Sequence, residues 1–215
     1  MKCLPIITLD GPAGVGKSTL AKRLATILGI PYLDTGAMFR TIALRLGPGA
    51  EALPEDELRA RCKAFRFKLQ GGGEHSVLLC NGVPVGPEIR TEEVGQMASK
   101  SAAVPQVRSW LIDLQRDLAV TQDVIMDGRD IGTCVLPQAT VKIYLTASAD
   151  VRAKRRYDEY CAKGMDCDYE EILNTVKKRD MQDMTRAIAP LKQADDAVLL
   201  DLSLIHISEP TRRTP

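Results

Sequence analysis

Gly11-Pro12-Ala13-Gly14-Val15-Gly16-Lys17-Ser18 fits the spacing G-x-x-x-x-G-K-[ST] at every fixed place. Glycines at this spacing let a loop curl until successive backbone N–H groups converge on phosphate oxygens, helped by the N-terminus of a following helix. Lys17 then neutralises charge at the β and γ phosphates, and the Ser18 hydroxyl, followed by Thr19, is placed to ligate Mg²⁺. Lys17 reads as an exposed loop cation that carries little packing.

Phosphate held on one side raises the question of a second molecule. Arginines gather where loops are expected: Arg40, Arg90, Arg108, Arg129, Arg152, Arg155, Arg156, Arg179 and Arg186. The planar fork of arginine suits bidentate contact with phosphate oxygens. Arg129, in Asp127-Gly128-Arg129-Asp130, directly follows an apolar run and so falls at the carboxyl end of a strand. A nucleotide switch has little use for so many cations, whereas a kinase that joins two phosphorylated molecules needs them for alignment. No general base is evident, and the two histidines, His75 and His206, lie far from the motif. A phosphate-monoester acceptor, with a second pKa of about 6, attacks as a dianion and needs no base. Asp34, Asp130 and Asp183 remain alternatives for that role.

The text around these residues supplies the elements that must position them. Ile6 to Leu9 reads as a buried strand before the motif, and Leu20, Leu24, Ile27 and Leu28 recur at helical spacing up to Gly29. Tyr32-Leu33-Asp34 reads as a second strand, Met38 to Leu46 as a helix, and 51–62 as a charged helical stretch. Phe65 to Leu69 alternates at period two, breaks at Gly71-Gly72-Gly73, and resumes at Val77 to Cys80 before a turn at Asn81-Gly82. A helical stretch runs from Thr91 to about Ala119 with a break around Pro105. Val124 to Met126 and Val141 to Leu145 read as strands, Asp150 to Ala162 and Tyr169 to Met184 as helices, and Ala197 to Leu200 as a last strand. The alternation implies an α/β fold with a parallel sheet flanked by helices and its ligand at the strand carboxyl ends.

Length and composition agree with one such unit. The chain has 215 residues, and 29 basic against 28 acidic side chains leave a net charge of +1. That balance argues against a nucleic-acid or membrane partner. No apolar run is long enough to span a bilayer, and no secretory leader is evident, so the expected location is the cytoplasm. The six cysteines (3, 62, 80, 134, 161 and 167) form no C-x-x-C pair and read as free thiols. Cys161, Asp166 and Cys167 have no histidine near them, which disfavours a metal site.

Six segments together resemble the bacterial cytidylate kinases, in the nucleoside-monophosphate kinase group of P-loop kinases. They are LDGPAGVGKST, LDTGAMFR at 33–40, GPEIRTEEV at 86–94, DGRDIGT at 127–133, VKIYLTAS at 141–148 and KRDMQDMTRAIAPL at 178–191. The likeness covers residues 3 to about 201. It implies a kinase core at 1–60 and 90–201 with a mobile lid near 150–168, and a small β-rich insert at 61–89 on the monophosphate side. It implies transfer of the γ-phosphate of ATP to CMP or dCMP, with Mg²⁺, by a monomer. Ser99, Arg108 and Asp130 correspond to the groups that read cytosine, and Asp183 to the carboxylate that holds the ribose. Arg40, Arg129 and Arg186 match the clamp on the acceptor phosphate, and Arg179 joins them near the transferred group, making Lys17, Arg129, Arg179 and Arg186 the catalytic set. Thr35 stands where relatives often have serine, and keeps the hydroxyl. Arg152, Arg155 and Arg156 are expected to close with the lid on the ATP phosphates. The alternatives are a kinase for UMP or AMP, and a non-catalytic P-loop switch.

After Asp201 the chain reads LSLIHISEPTRRTP. Isolated isoleucines and the prolines at 210 and 215 allow no helical stripe. Leu202 to Arg212 resembles a translated sequencing adapter, so 202–215 is expected to be a non-native tail that packs poorly, leaving an apolar strip uncovered.

Overall fold

The computed structural model describes residues 5–203. Its main sheet has five parallel strands: β1 (Ile6–Asp10), β2 (Tyr32–Asp34), β6 (Val124–Gly128), β7 (Val141–Thr146) and β8 (Val198–Asp201), in the order β2-β6-β1-β7-β8. A three-stranded antiparallel sheet comprises β3 (Phe67–Gln70), β4 (Val77–Cys80) and β5 (Val83–Pro84). Seven α-helices join them: α1 (Lys17–Leu28), α2 (Thr35–Leu46), α3 (Glu55–Lys63), α4 (Glu92–Ser101), α5 (Pro105–Thr121), α6 (Ala149–Ala162) and α7 (Tyr169–Met184).

β6 is buried along its whole length and β1 nearly so, as apolar, β-branched runs in the middle of a parallel sheet require. The chain leaves β1 toward β2 on one side and leaves β6 toward β7 on the other. Their loops therefore diverge between two adjacent strands, the place where such sheets hold ligands. Register brings Asp34 level with Asp127, and Asp10 level with Gly128, at the carboxyl ends.

Helix boundaries follow local chemistry. The Asp34 side chain caps α2 by accepting the N–H of Ala37, so strand and helix meet with no linker, and α2 starts three residues before the expected Met38. Thr91, Ser148 and Asp168 cap α4, α6 and α7 in the same way. The break expected near Pro105 is real: α4 ends at Ser101, and Pro105 opens α5. Residues Ile131–Val135 form a single π turn that the sequence pattern does not announce.

The small sheet shares its core with the large one. Asn81 and Gly82 both have positive φ, as a two-residue turn between twisted strands demands. Leu69 joins Leu33, Met38, Leu58, Cys62, Val107 and Leu111 in one buried cluster, and Phe65 and Phe67 both face the Trp110 ring. The strand expected at Phe65 to Leu69 is found at Phe67–Gln70, and Arg66 before it exchanges hydrogen bonds with Asn81 of the turn, through the Asn81 side chain and backbone.

The tail expectation fails for its first two residues. The Leu202 N–H donates to the Thr146 carbonyl, and the side chain packs on the cluster built from Leu9, Val15 and Leu145. Ser203 Oγ accepts the Ser148 N–H. Residues 204–215 lie outside the described residues. β8 itself leaves Val198, Leu199 and Leu200 exposed.

Gly11 is fixed by close approach: it has φ +148°, and a Cβ there would lie 2.2 Å from the Leu145 carbonyl oxygen of β7. Gly11→Ala is therefore expected to cost about 2 kcal/mol or more of stability, read by urea denaturation. A variant as stable as the parent would show that this contact is relaxed in solution.

Candidate functional site

The phosphate loop and the strand ends enclose a cavity of about 330 Å³. Ala13, Gly14, Lys17 and Ser18 form one end of its lining, and Thr35, Arg40, Ser99, Arg108, Arg129, Asp130, Arg179, Asp183 and Arg186 supply much of the rest. These residues come from the phosphate loop, α1, α2, α4, α5, α7 and the segments after β6 and α7.

Lys17 is not an exposed loop cation. It is 6% exposed, and its Nζ donates to the carbonyls of Gly11 and Pro12, each at 2.8 Å. Burial pulls its pKa down to about 7 and neighbouring Arg129 adds to the fall, against the attraction of Asp127 and Asp10. Anionic phosphates beside it would reverse that shift.

Asp127 links three elements around the loop. Its Oδ2 accepts the Ser18 hydroxyl at 2.9 Å, its Oδ1 accepts the Tyr32 hydroxyl at 3.0 Å, and its backbone carbonyl accepts the Thr35 hydroxyl at 2.7 Å. Burial pushes its carboxyl up to about 6 and nearby Asp34 adds to the rise, against Lys17. Asp10 accepts the N–H groups of Ile131 and Gly132 and so fixes the π turn; burial pushes it up to about 6 in spite of those bonds. Neither aspartate was among the expected site residues, although each stands directly after an apolar strand run and was legible as a strand-end carboxylate.

Two ion pairs organise the far end. Arg129 Nε donates to Asp183 at 2.8 Å, and Arg108 Nη2 to Asp130 at 2.7 Å. Burial alone would lower Arg129, but Asp183 overrides it and raises the guanidinium. Burial alone would raise Asp183, and Arg129, Arg186 and Arg179 together hold it below the usual carboxylate range. Arg108 stacks over Phe39 with 5.7 Å to the ring centroid, and its buried Nε has no partner among the described residues. Arg186 Nη2 is likewise buried and unpartnered among them. Arg40 donates to the carbonyls of Ile89 and Thr91 and packs against Gly95, where a Cβ would lie 3.2 Å from its Nη2.

The three α6 arginines separate. Arg156 lines the cavity, but Arg152 and Arg155 do not. Arg152 is buried and pairs with Asp180 while donating to the carbonyls of Ala13 and Ala147, so it braces the phosphate loop from behind. Arg155 donates to the carbonyl of Leu202. Helical spacing cannot tell these faces apart, because the decisive partner, Asp180, is 28 residues away. Cys161 and Cys167 bring their sulfurs to 3.9 Å, but no group of three candidate metal ligands occurs among the described residues.

A phosphate loop facing an arginine-lined pocket at the carboxyl ends of a parallel sheet defines a P-loop kinase. The model of the cytidylate kinase family matches residues 7–212, beyond the 201 at which the motif likeness ends. A cytidylate kinase of Nitratidesulfovibrio vulgaris is 52% identical over 204 residues, covering 95% of this chain and 88% of that protein. Cytidylate kinases of Lawsonia intracellularis (48% over 202 residues, 94% and 90%) and Thermosipho melanesiensis (45% over 207 residues, 96% and 93%) are similar to it as well. The chain belongs to the cytidylate kinase family.

Asp183 is the counter-charge for three guanidiniums, so Asp183→Asn is expected to destabilise the free protein by about 3 kcal/mol at pH 7. A depressed carboxyl contributes stability above its unfolded pKa and loses it as the pH falls through the folded one. The gap between parent and variant in urea denaturation should therefore narrow from pH 7 to pH 3. A constant gap would assign Asp183 to packing.

Proposed function

We propose that the chain transfers the γ-phosphate of ATP to CMP or dCMP, giving ADP and CDP or dCDP. The observation that carries this reading is the single cavity in which Lys17 and Ser18 face the Arg129–Asp183 and Arg108–Asp130 pairs.

Lys17 and the N–H groups of the loop would hold the donor phosphates, with Lys17 leaving the Gly11 and Pro12 carbonyls to do so. Ser18 Oγ and Asp127 Oδ2, 2.9 Å apart at the mouth of the loop, form a hard-oxygen pair suited to Mg²⁺. Bound there, the ion supplies charge neutralisation at the β and γ oxygens. Arg40, Arg129 and Arg186 would clamp the acceptor phosphate, and Arg179, which makes no hydrogen bond or ion pair among the described residues, would meet the transferred group. Burial lowers Arg179, and Arg129 lowers it further, so the site is short of anions. A dianionic acceptor relieves that shortage and needs no general base.

Arg108 and Asp130 present a donor and an acceptor side by side, which with Ser99 suits the edge of cytosine. The unpartnered Arg108 Nε is consistent with a ligand that completes the set. Asp183 would hold the ribose hydroxyls, and Thr35, which also lines the cavity, would contact the monophosphate substrate. The same reading makes 61–89 the monophosphate-side segment and 150–168 the lid, with Arg156 as its phosphate-facing residue. It has the enzyme acting as a cytoplasmic monomer without nucleic acid. No helix among the described residues is long and apolar enough to cross a membrane. Rate enhancement comes from alignment and fixed charge, with lid closure keeping water from the γ-phosphate.

ADP release with ATP, Mg²⁺ and each nucleoside monophosphate tests the proposal: turnover should be strongest with CMP or dCMP. Equal or better turnover with AMP refutes it. In the same assay Arg108→Ala should raise the KM for CMP by about tenfold or more while leaving the KM for ATP within about twofold. Equal losses on both substrates would make Arg108 a structural residue.

A further inference from the structure

Glu92 opens α4 at the rim of the cavity, and its Oε2 lies 3.0 Å from Nη2 of Arg156 on α6. The pair spans the mouth, because α4 lines the acceptor side through Gly95, Ala98 and Ser99 while α6 begins beside the phosphate loop. The four aspartates that line the cavity are already engaged: Asp34 with Arg90, Asp127 with Ser18 and Tyr32, Asp130 with Arg108, and Asp183 with Arg129. Glu92 is different. It does not line the cavity, yet its charge acts on Arg40, Arg156 and Arg179, which come from α2, α6 and α7. A polyphosphate entering between them presents the same sign of charge to guanidiniums of the same group.

Arg156 is also built to change partners. Its Nε donates to the Tyr160 hydroxyl at 2.9 Å, and its guanidinium lies 5.6 Å from the centroid of that ring. Tyr160 thus keeps the side chain oriented when the Nη2 contact is lost.

We propose that Glu92 is a positioning residue that holds Arg156 in the absence of donor nucleotide, as a counter-ion the triphosphate must displace. Donor binding then exchanges a carboxylate on α4 for phosphate oxygens and detaches the lid helix from the acceptor-side helix. The inference rests on Arg156 gripping the donor phosphates. Partly exposed ion pairs are weak, so the competition is small.

The test measures binding of a non-hydrolysable ATP analogue with Mg²⁺ by calorimetry, without acceptor, in the parent, Glu92→Gln, Arg156→Gln and the double variant. Glu92→Gln should bind the analogue about two- to fivefold more tightly than the parent. Damage to the fold would weaken binding, so a gain separates competition from a structural role. Arg156→Gln should weaken binding, and in that background Glu92→Gln should add nothing. Unchanged or weaker binding in Glu92→Gln overturns the proposal, as does an equal gain without Arg156, which would make the effect one of general charge. If Arg156→Gln leaves the affinity unaltered, the lid role of Arg156 falls and the proposal with it. If Arg156→Gln weakens binding but Glu92→Gln does not tighten it, only the competition fails.

Discussion

The buried Asp127 carboxylate is the constraint on which the remaining geometry depends. An ionised carboxylate taken out of water is costly unless hydrogen bonds replace its hydration. Here the replacements come from the first turn of α1 and from β2, while the same residue's carbonyl binds the first residue of α2. Burial and the nearby Asp34 still push its pKa up in spite of those bonds. The contacts that replace its hydration are the same ones that tie the root of α1 to β2.

Around that centre cations outnumber carboxylates, and only some of them are paired. Arg129 with Asp183 and Arg108 with Asp130 are fixed by short contacts, whereas Lys17 and Arg40 rest on main-chain carbonyls. Carbonyl contacts are exchanged for phosphate at lower cost than a buried carboxylate pair, since no opposite charge is left behind. The cations divide accordingly into those held by carboxylates and those held by main-chain oxygens.

Much of this was legible in the sequence where the signal is local. The phosphate loop, the apolar strand runs, the Asn81-Gly82 turn and the boundary at Pro105 each depend on residues within a few positions of one another. The placement of Arg129 after Met126 followed from strand-end logic alone. What escaped depends on distant partners. Arg152 turned inward because Asp180 on α7 awaits it, and Lys17 proved buried because its own loop wraps it. Glu92 is one of two acidic residues in the first turn of α4, and only the fold puts α6 beside it. The first residues of the supposed tail extend the β7–β8 pairing, and no periodicity within fourteen residues reveals a hydrogen bond to Thr146.

The junction of β2 and α2 has a mechanical meaning. Strand and helix share Asp34 as last residue and cap, and Thr35 is tied to the Asp127 carbonyl, so the helix that carries Arg40 has no slack at its root. It behaves as a fixed jaw: the distance from Arg40 to the phosphate loop is set by the sheet and not by a hinge. On the opposite side residues 163–168 separate α6, which carries Arg156, from α7, which carries Arg179 and Asp183, so those two walls are joined by a loop and not by one shared residue.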